Sequence, residues 1–293
     1  MKIITSFLLC LFSITAFSQE NIRLVWVVTS NYTFEGDCEK RYLLADNVSL
    51  RDAPSTDGKV IASLPIGAEL VLYEASQEMY VSSGIESQWY KTKHNGKEGW
   101  IWGGLLASYS FGSNADPSVK FLGGIARTTF DVEWGYDKRV YQIRAVRDGK
   151  ELDRIDLLTF GLTFSQLSNI GNRGIDVDDI LYLHVPCDEG CGCSTGDIVV
   201  FWNEGKFNHV ADLISTADAD YSTNVGFIFP SEMEGKEGYI IKRLNDYDDP
   251  EELYERGFIL RYIEDSYWIW DGTKLVDSGL PVDREEAEVE VGY

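Results

Sequence analysis

Three thiols and an imidazole fall within one short run, His184-Val-Pro-Cys187-Asp-Glu-Gly-Cys191-Gly-Cys193. Neutral imidazole and thiolates are the donors of a tetrahedral zinc site, so these side chains form a candidate metal cluster. The Cys-x-Cys spacing argues against it, because paired zinc knuckles leave a wider gap between ligands. Setting Cys10 aside, the remaining cysteines are Cys38, Cys187, Cys191 and Cys193, an even number that permits two disulfides in three connectivities. A bond from Cys187 to Cys191 or Cys193 would staple a Gly-rich loop that has little core of its own. Disulfides are therefore preferred to metal, and no cofactor is expected.

Nucleophilic catalysis is the next chemistry to consider. The chain has only three histidines, His94, His184 and His209. The stretch Gly196-Asp197-Ile198-Val199-Val200-Phe201-Trp202, followed by His209-Val210-Ala211, resembles the strand pair that carries the base in papain-like cell-wall peptidases. That mechanism needs a thiolate at a helix N-terminus well upstream, and no cysteine lies between Asn114 and Pro186. No catalytic residue is assigned, and a cell-wall hydrolase stays as the alternative. The acid clusters Asp176-Val177-Asp178-Asp179, Asp218-Ala219-Asp220 and Asp246-Tyr247-Asp248-Asp249 offer oxygen ligands but lack the twelve-residue calcium loop. They read as solvated loop charge.

Binding chemistry is richer. Tyr73, Tyr80, Trp89, Tyr90, Trp100 and Trp102 crowd one short segment. Trp100 and Trp102 are two apart, hence on one face of a strand. Trp100 is expected in the core, while Trp89, Tyr90, Trp102 and Tyr73 are expected to line a shallow groove for a peptide or sugar.

The elements that would position them are short strands. Val48 and Leu50 share one face, Leu70 and Leu72 another, and Tyr90, Thr92 and His94 a third. Turns are marked by Asp52-Ala53-Pro54-Ser55-Thr56-Asp57-Gly58, by Pro65-Ile66-Gly67 and by Asn95-Gly96. Five short strands with such turns must curl around a core. The Leu50-Arg51-Asp52-Ala53-Pro54-Ser55-Thr56 run and the Gly96-Lys97-Glu98-Gly99-Trp100-Ile101 ending, in that order, resemble a bacterial SH3 (SH3b) domain over residues 42–107. The resemblance implies a small barrel that recognises cell-wall peptide or glycan, or an envelope protein. Glu74 to Gln88 departs from the pattern and is expected to be an enlarged loop beside the groove.

Around this segment the chain divides into 1–18 as a signal peptide, 19–41 as an extension with one edge strand, and 108–118 as a linker rich in Ser, Gly, Asn and Pro. Residues 119–279 form a β-rich domain and 280–293 a frayed acidic tail. Hairpins are expected at Asp148-Gly149, Asn203-Glu204-Gly205 and Asp271-Gly272, giving an antiparallel meander or propeller-like array. Short helices are expected near Phe164 to Ile170 and Pro250 to Arg256. The fold class is thus mainly β, a small SH3-like barrel followed by a larger antiparallel β-rich domain.

Lys2, the apolar run Ile3 to Ile14, and Ala16-Phe17-Ser18 have the order of an export signal cleaved before Gln19. The run is too short to span a bilayer, and Cys10 inside it is not placed for lipid attachment. The expected location is exported, periplasmic or secreted, with no membrane span after cleavage. The whole chain has a formal charge of −22, and cleavage removes Lys2 but no acid. So acidic a surface repels nucleic acid, and the 44% hydrophobic content excludes a disordered chain. A non-enzymatic binding protein is the first expectation, and a metal-binding sensor the last.

Overall fold

The computed structural model describes residues 25–26, 39–133, 136–160, 166–186, 194–218, 221–248 and 257–290. About 70% of them are in strands and 1% in helix, as period-two patterning with Gly, Asn and Asp turns dictates. The cysteines, the signal segment and Pro250 to Arg256 lie outside the described residues.

The first sheet contains β1 (Val25–Trp26), β2 (Glu39–Tyr42), β3 (Val48–Arg51), β4 (Val60–Leu64), β5 (Glu69–Ser82), β6 (Ile85–His94) and β7 (Lys97–Trp102). Its order is β2-β5-β6-β7-β3-β4, with β1 added in parallel on β6. It curls around one core of Leu43, Val48, Leu50, Leu64, Leu70, Leu72, Tyr90 and Ile101. The alternating faces expected at Val48/Leu50, Leu70/Leu72 and Tyr90/Thr92 are the buried ones. Asn95 and Gly96, with φ of 47° and 78°, form the tight turn between β6 and β7.

The second sheet has β8 (Tyr109–Gly112), β9 (Lys120–Asp131), β10 (Tyr136–Arg147) and β11 (Lys150–Phe160), in the order β11-β10-β9-β8. The third is a meander of β12 (Gln166–Asn169), β13 (Asp179–Val185), β14 (Ser194–Asn203), β15 (Lys206–Asp218), β16 (Tyr221–Ile228), β17 (Ile240–Asp248), β18 (Phe258–Trp270) and β19 (Leu275–Asp277). Its last strand, β20 (Asp283–Glu290), pairs with β18 beside β19. The sequence-predicted hairpins at Asp148-Gly149 and Glu204-Gly205 both form, with positive φ at each of the four residues. Of the two arrangements expected for residues 119–279, the meander is the one present.

Three expectations change. Gln166–Asn169 is a strand and not a helix, because its residues pair with Leu181 to His184. Tyr109–Gly112, inside the expected linker, is the edge strand of the second sheet. Asp283–Glu290 is not frayed: its Glu residues alternate with Ala287 and Val289 along the exposed side of β18.

The two large sheets pack face to face through Phe121, Tyr141, Ile143 and Leu157 against Leu181, Leu183, Ile198, Val200 and Trp202. On its other face the third sheet buries Ile180, Val199, Phe201, Phe229 and Ile240. Strands β13 and β14 are therefore apolar on both sides, which is why Ile198 to Trp202 reads as an unbroken hydrophobic run. The barrel joins the second sheet through a smaller cluster of Leu44, Ile66 and Ala107 with Leu122 and Val146.

Candidate functional site

Strand β5 departs from regular pairing at two points, between Leu72 and Glu74 and between Ala75 and Met79, where Ser76 to Glu78 bulge outward. Ser76 stabilises the bulge: its hydroxyl donates to the Glu78 carbonyl at 2.8 Å and accepts from the Trp89 amide at 3.0 Å. Beyond the bulge β5 and β6 continue as an arm, with β1 alongside at Ile85 and Glu86, and turn at Ser83 and Gly84 with φ of 54° and 72°. The expected enlarged loop at Glu74 to Gln88 is this arm. Its tip rests on β9, where the Thr128 amide donates to the Ser83 carbonyl at 2.9 Å. A Cβ at Gly84 would stand 2.0 Å from the Thr128 carbonyl oxygen, so only glycine allows the contact.

The arm carries Tyr80 over the outer face of the barrel. Trp89 and Trp102 are directly opposite one another on β6 and β7. Tyr80 meets the Trp102 ring edge-on at 5.7 Å and the Trp89 ring at 5.9 Å. The Trp102 indole N–H donates to the carbonyls of Tyr80 at 3.1 Å and Ser87 at 3.2 Å. After Trp102 a single 3-10 turn, Gly103–Leu105, lets the indole lie against the backbone, since a Cβ at Gly104 would come within 2.3 Å of that ring.

Strand β3 meets β7 at one residue pair only, Arg51 with Trp100, and then diverges. The gap is a cleft of about 310 Å³. One wall is Asp46, Asn47, Ser49 and Arg51, and the other is Tyr80, Trp89 and Trp102. The first wall is held rigidly. The Asp46 carboxylate accepts the Ile66 amide at 3.1 Å, and the Arg51 guanidinium donates to the Gly58 carbonyl at 2.6 Å. The cleft thus combines an aromatic wall with a polar wall, a lining suited to an extended ligand having an apolar side and hydrogen-bonding groups.

Of the aromatics singled out from sequence, Trp89 and Trp102 line this cleft, although only 5% and 7% exposed. Tyr90 does not join them, because it is one position out of phase and fills the barrel core. Tyr73 lies farther along the outer face with Trp100, where Lys91 stands 5.9 Å from both rings and bridges Glu74 and Glu98. Trp102 lines the cleft as expected although it is buried, whereas Trp100 is half-buried on the outer face and not in the barrel core. Tyr80 was not singled out for the groove, since its position depends on the arm.

The other candidates also have definite places. His209 is a half-exposed residue of β15 whose Nε2 lies 2.7 Å from Asp212. His184 on β13 pairs through Nδ1 with Asp197 at 3.1 Å. Cys38, Cys187, Cys191 and Cys193 fall outside the described residues. Among the described residues no three His, Cys, Asp or Glu side chains are grouped as metal ligands. Within its cluster Asp176 is exposed, as expected of solvated charge, whereas Asp179 is not. It is fully buried and accepts hydrogen bonds from the Ser113 hydroxyl, the Asn114 amide and the Asn169 side-chain amide.

A strongly curled, mostly antiparallel sheet closed around one core is an SH3-like barrel. Residues 46–107 match the family model of the bacterial SH3 domain, and no family is assigned to the rest of the chain. Bacterial SH3 domains are known cell-wall-binding modules, typical of envelope-associated proteins. No curated protein and no solved structure was found to match the chain. Among the described residues no helix is long and apolar enough to cross a membrane.

Proposed function

We propose that this chain is an exported binding protein, without catalysis of its own, that holds cell-wall peptide or glycan in the cleft between β3 and the Tyr80–Trp89–Trp102 wall. The supporting observation is the coincidence of that cleft with the segment matching the bacterial SH3 domain. Export is supported by the leader-like order of Lys2, Ile3 to Ile14 and Ala16-Phe17-Ser18. An extended stem peptide or glycan end would lay its apolar side on the tryptophans and pair its polar groups with Asp46, Ser49 and Arg51. An extended segment of an envelope protein is the other occupant of the same chemistry.

Titration of the full chain with soluble muropeptides, followed by the tryptophan indole N–H resonances, tests this reading. Saturable shifts at Trp102 and Trp89 are expected, with no turnover of the muropeptide. Turnover that disappears in His209→Ala would contradict it in favour of a hydrolase.

A further inference from the structure

We propose that the third sheet carries a second ligand site, separate from the barrel, built for a neutral saccharide of one or two rings. On the inner side of its curl, β13 presents Ile180, Tyr182 and His184 in succession, and β14 presents Asp197, Val199 and Phe201. The apolar members of these rows close a core with Phe229 and Ile240. At the polar end the strands part from the loops above them and leave a cleft of about 370 Å³, within the size range of small-molecule sites.

Its walls are fixed. The Ser231 amide donates to the Arg173 carbonyl at 3.2 Å, tying together the two loops that frame the opening. The Glu232 carboxylate accepts the Phe229 amide at 2.8 Å. The Asp197 carboxylate lies 3.1 Å from His184 Nδ1, and accepting from that nitrogen leaves Nε2 for a ligand. Tyr182 is set among Asp197, Glu232 and Arg173, and burial pushes its phenol far above the usual range, so it remains a donor.

The lining therefore offers donors, acceptors and the aromatic surface of Phe227 beside Phe229, in a single concavity. A full anion would face Asp197 and Glu232, of which Arg173 offsets only one, whereas the mixture of donors and acceptors suits a ligand rich in hydroxyls. A pyranose meets no such repulsion: its C–H face covers Phe227, and its hydroxyls both donate to the carboxylates and His184 Nε2 and accept from Tyr182 and Arg173. Two modest sites on one rigid chain would add avidity toward a polymeric glycan.

Calorimetric titration of the full chain with N,N′-diacetylchitobiose and with cellobiose tests the proposal. At least one disaccharide is expected to bind with a dissociation constant on the order of 1 mM or tighter. Binding should be unaffected by added salt and weakened about tenfold by both Asp197→Asn and Phe227→Ala. His184→Gln serves if either variant loses its near-ultraviolet circular dichroism, because His184 is 44% exposed and bears no core load. Ser49→Trp, which fills the barrel cleft, should remove only such disaccharide binding as that cleft contributes and leave the component that Asp197→Asn weakens, so failure here and failure of the barrel reading are separable. Absence of binding by both sugars, binding indifferent to the sheet variants, or binding abolished by Ser49→Trp would each overturn the proposal.

Discussion

Trp102 shows how one side chain serves both stability and the cleft. Its ring is buried, its N–H is shared between two carbonyls, and its outer neighbour is Tyr80. Trp102→Ala is expected to cost about 3–5 kcal/mol in urea unfolding. Trp102→Phe should cost about 1–3 kcal/mol, because the carbonyls of Tyr80 and Ser87 lose their donor while ring burial is largely kept. Asp179 is the polar counterpart. It collects donors from Ser113 and Asn114, some 66 residues away in sequence, and from Asn169. Asp179→Ala should cost about 3 kcal/mol by stranding those donors, and a change below ~0.5 kcal/mol would mean that they find water instead. The hydrogen bond that His209 donates to the Asp212 carboxylate raises the pKa of His209 above 6.5, with burial opposing it. The folded chain therefore favours protonated His209. That contribution is complete below the unfolded pKa and disappears as pH rises through the folded one. His209 is nearly half exposed, so the effect on stability is small. In Asp212→Asn its imidazole titration, followed by NMR, should fall back toward 6.5, and an unmoved midpoint would show that the pair does not persist in solution.

The decisive element is the arm made by the extended parts of β5 and β6. Gly84→Ala would require a positive φ that costs about 1–2 kcal/mol for an L side chain. It would also drive a methyl group into the Thr128 carbonyl. The arm should lift from β9, which hydrogen exchange would register as faster exchange of the Thr128 amide. Muropeptide affinity should fall with it, since Tyr80 rides on the arm; an unchanged exchange rate would mean that the tip contact is dispensable. Element by element, much of this architecture can be read from local pattern. Two-residue turns such as Asn95-Gly96 and Asp148-Gly149 carry their own φ requirement, and alternation at Val48/Leu50 and Leu70/Leu72 names the core face directly. The arm resists such reading because the bulge at Ser76 to Glu78 breaks the alternation. Gln166–Asn169 and Asp283–Glu290 resist it too, since their strand state comes from distant partners on β13 and β18. The cleft was half legible: cross-strand tryptophans follow from period two, whereas Tyr80 enters through tertiary folding of the arm.

At the scale of the molecule, the barrel is built into its neighbour. Leu44, Ile66 and Ala107 share a buried cluster with Leu122 and Val146, and the Ser108 amide donates to the Gly123 carbonyl at 2.8 Å. Gly67 faces the Val146 side chain so closely that a Cβ would stand 2.8 Å from it. Residues 42–107 expressed alone should unfold at a clearly lower urea concentration than the full chain. Each apolar side chain uncovered forfeits about 1.5–3 kcal/mol. An equal midpoint would show that the cluster adds nothing to the barrel. This union holds the cleft in a fixed orientation toward the rest of the chain. Co-sedimentation of the full chain with insoluble peptidoglycan, with and without Ser49→Trp, measures the claim most directly. The native chain should pellet with the polymer, and the variant, folded but with its cleft filled, should stay in solution. Equal pelleting of both would contradict a wall-binding role for that cleft.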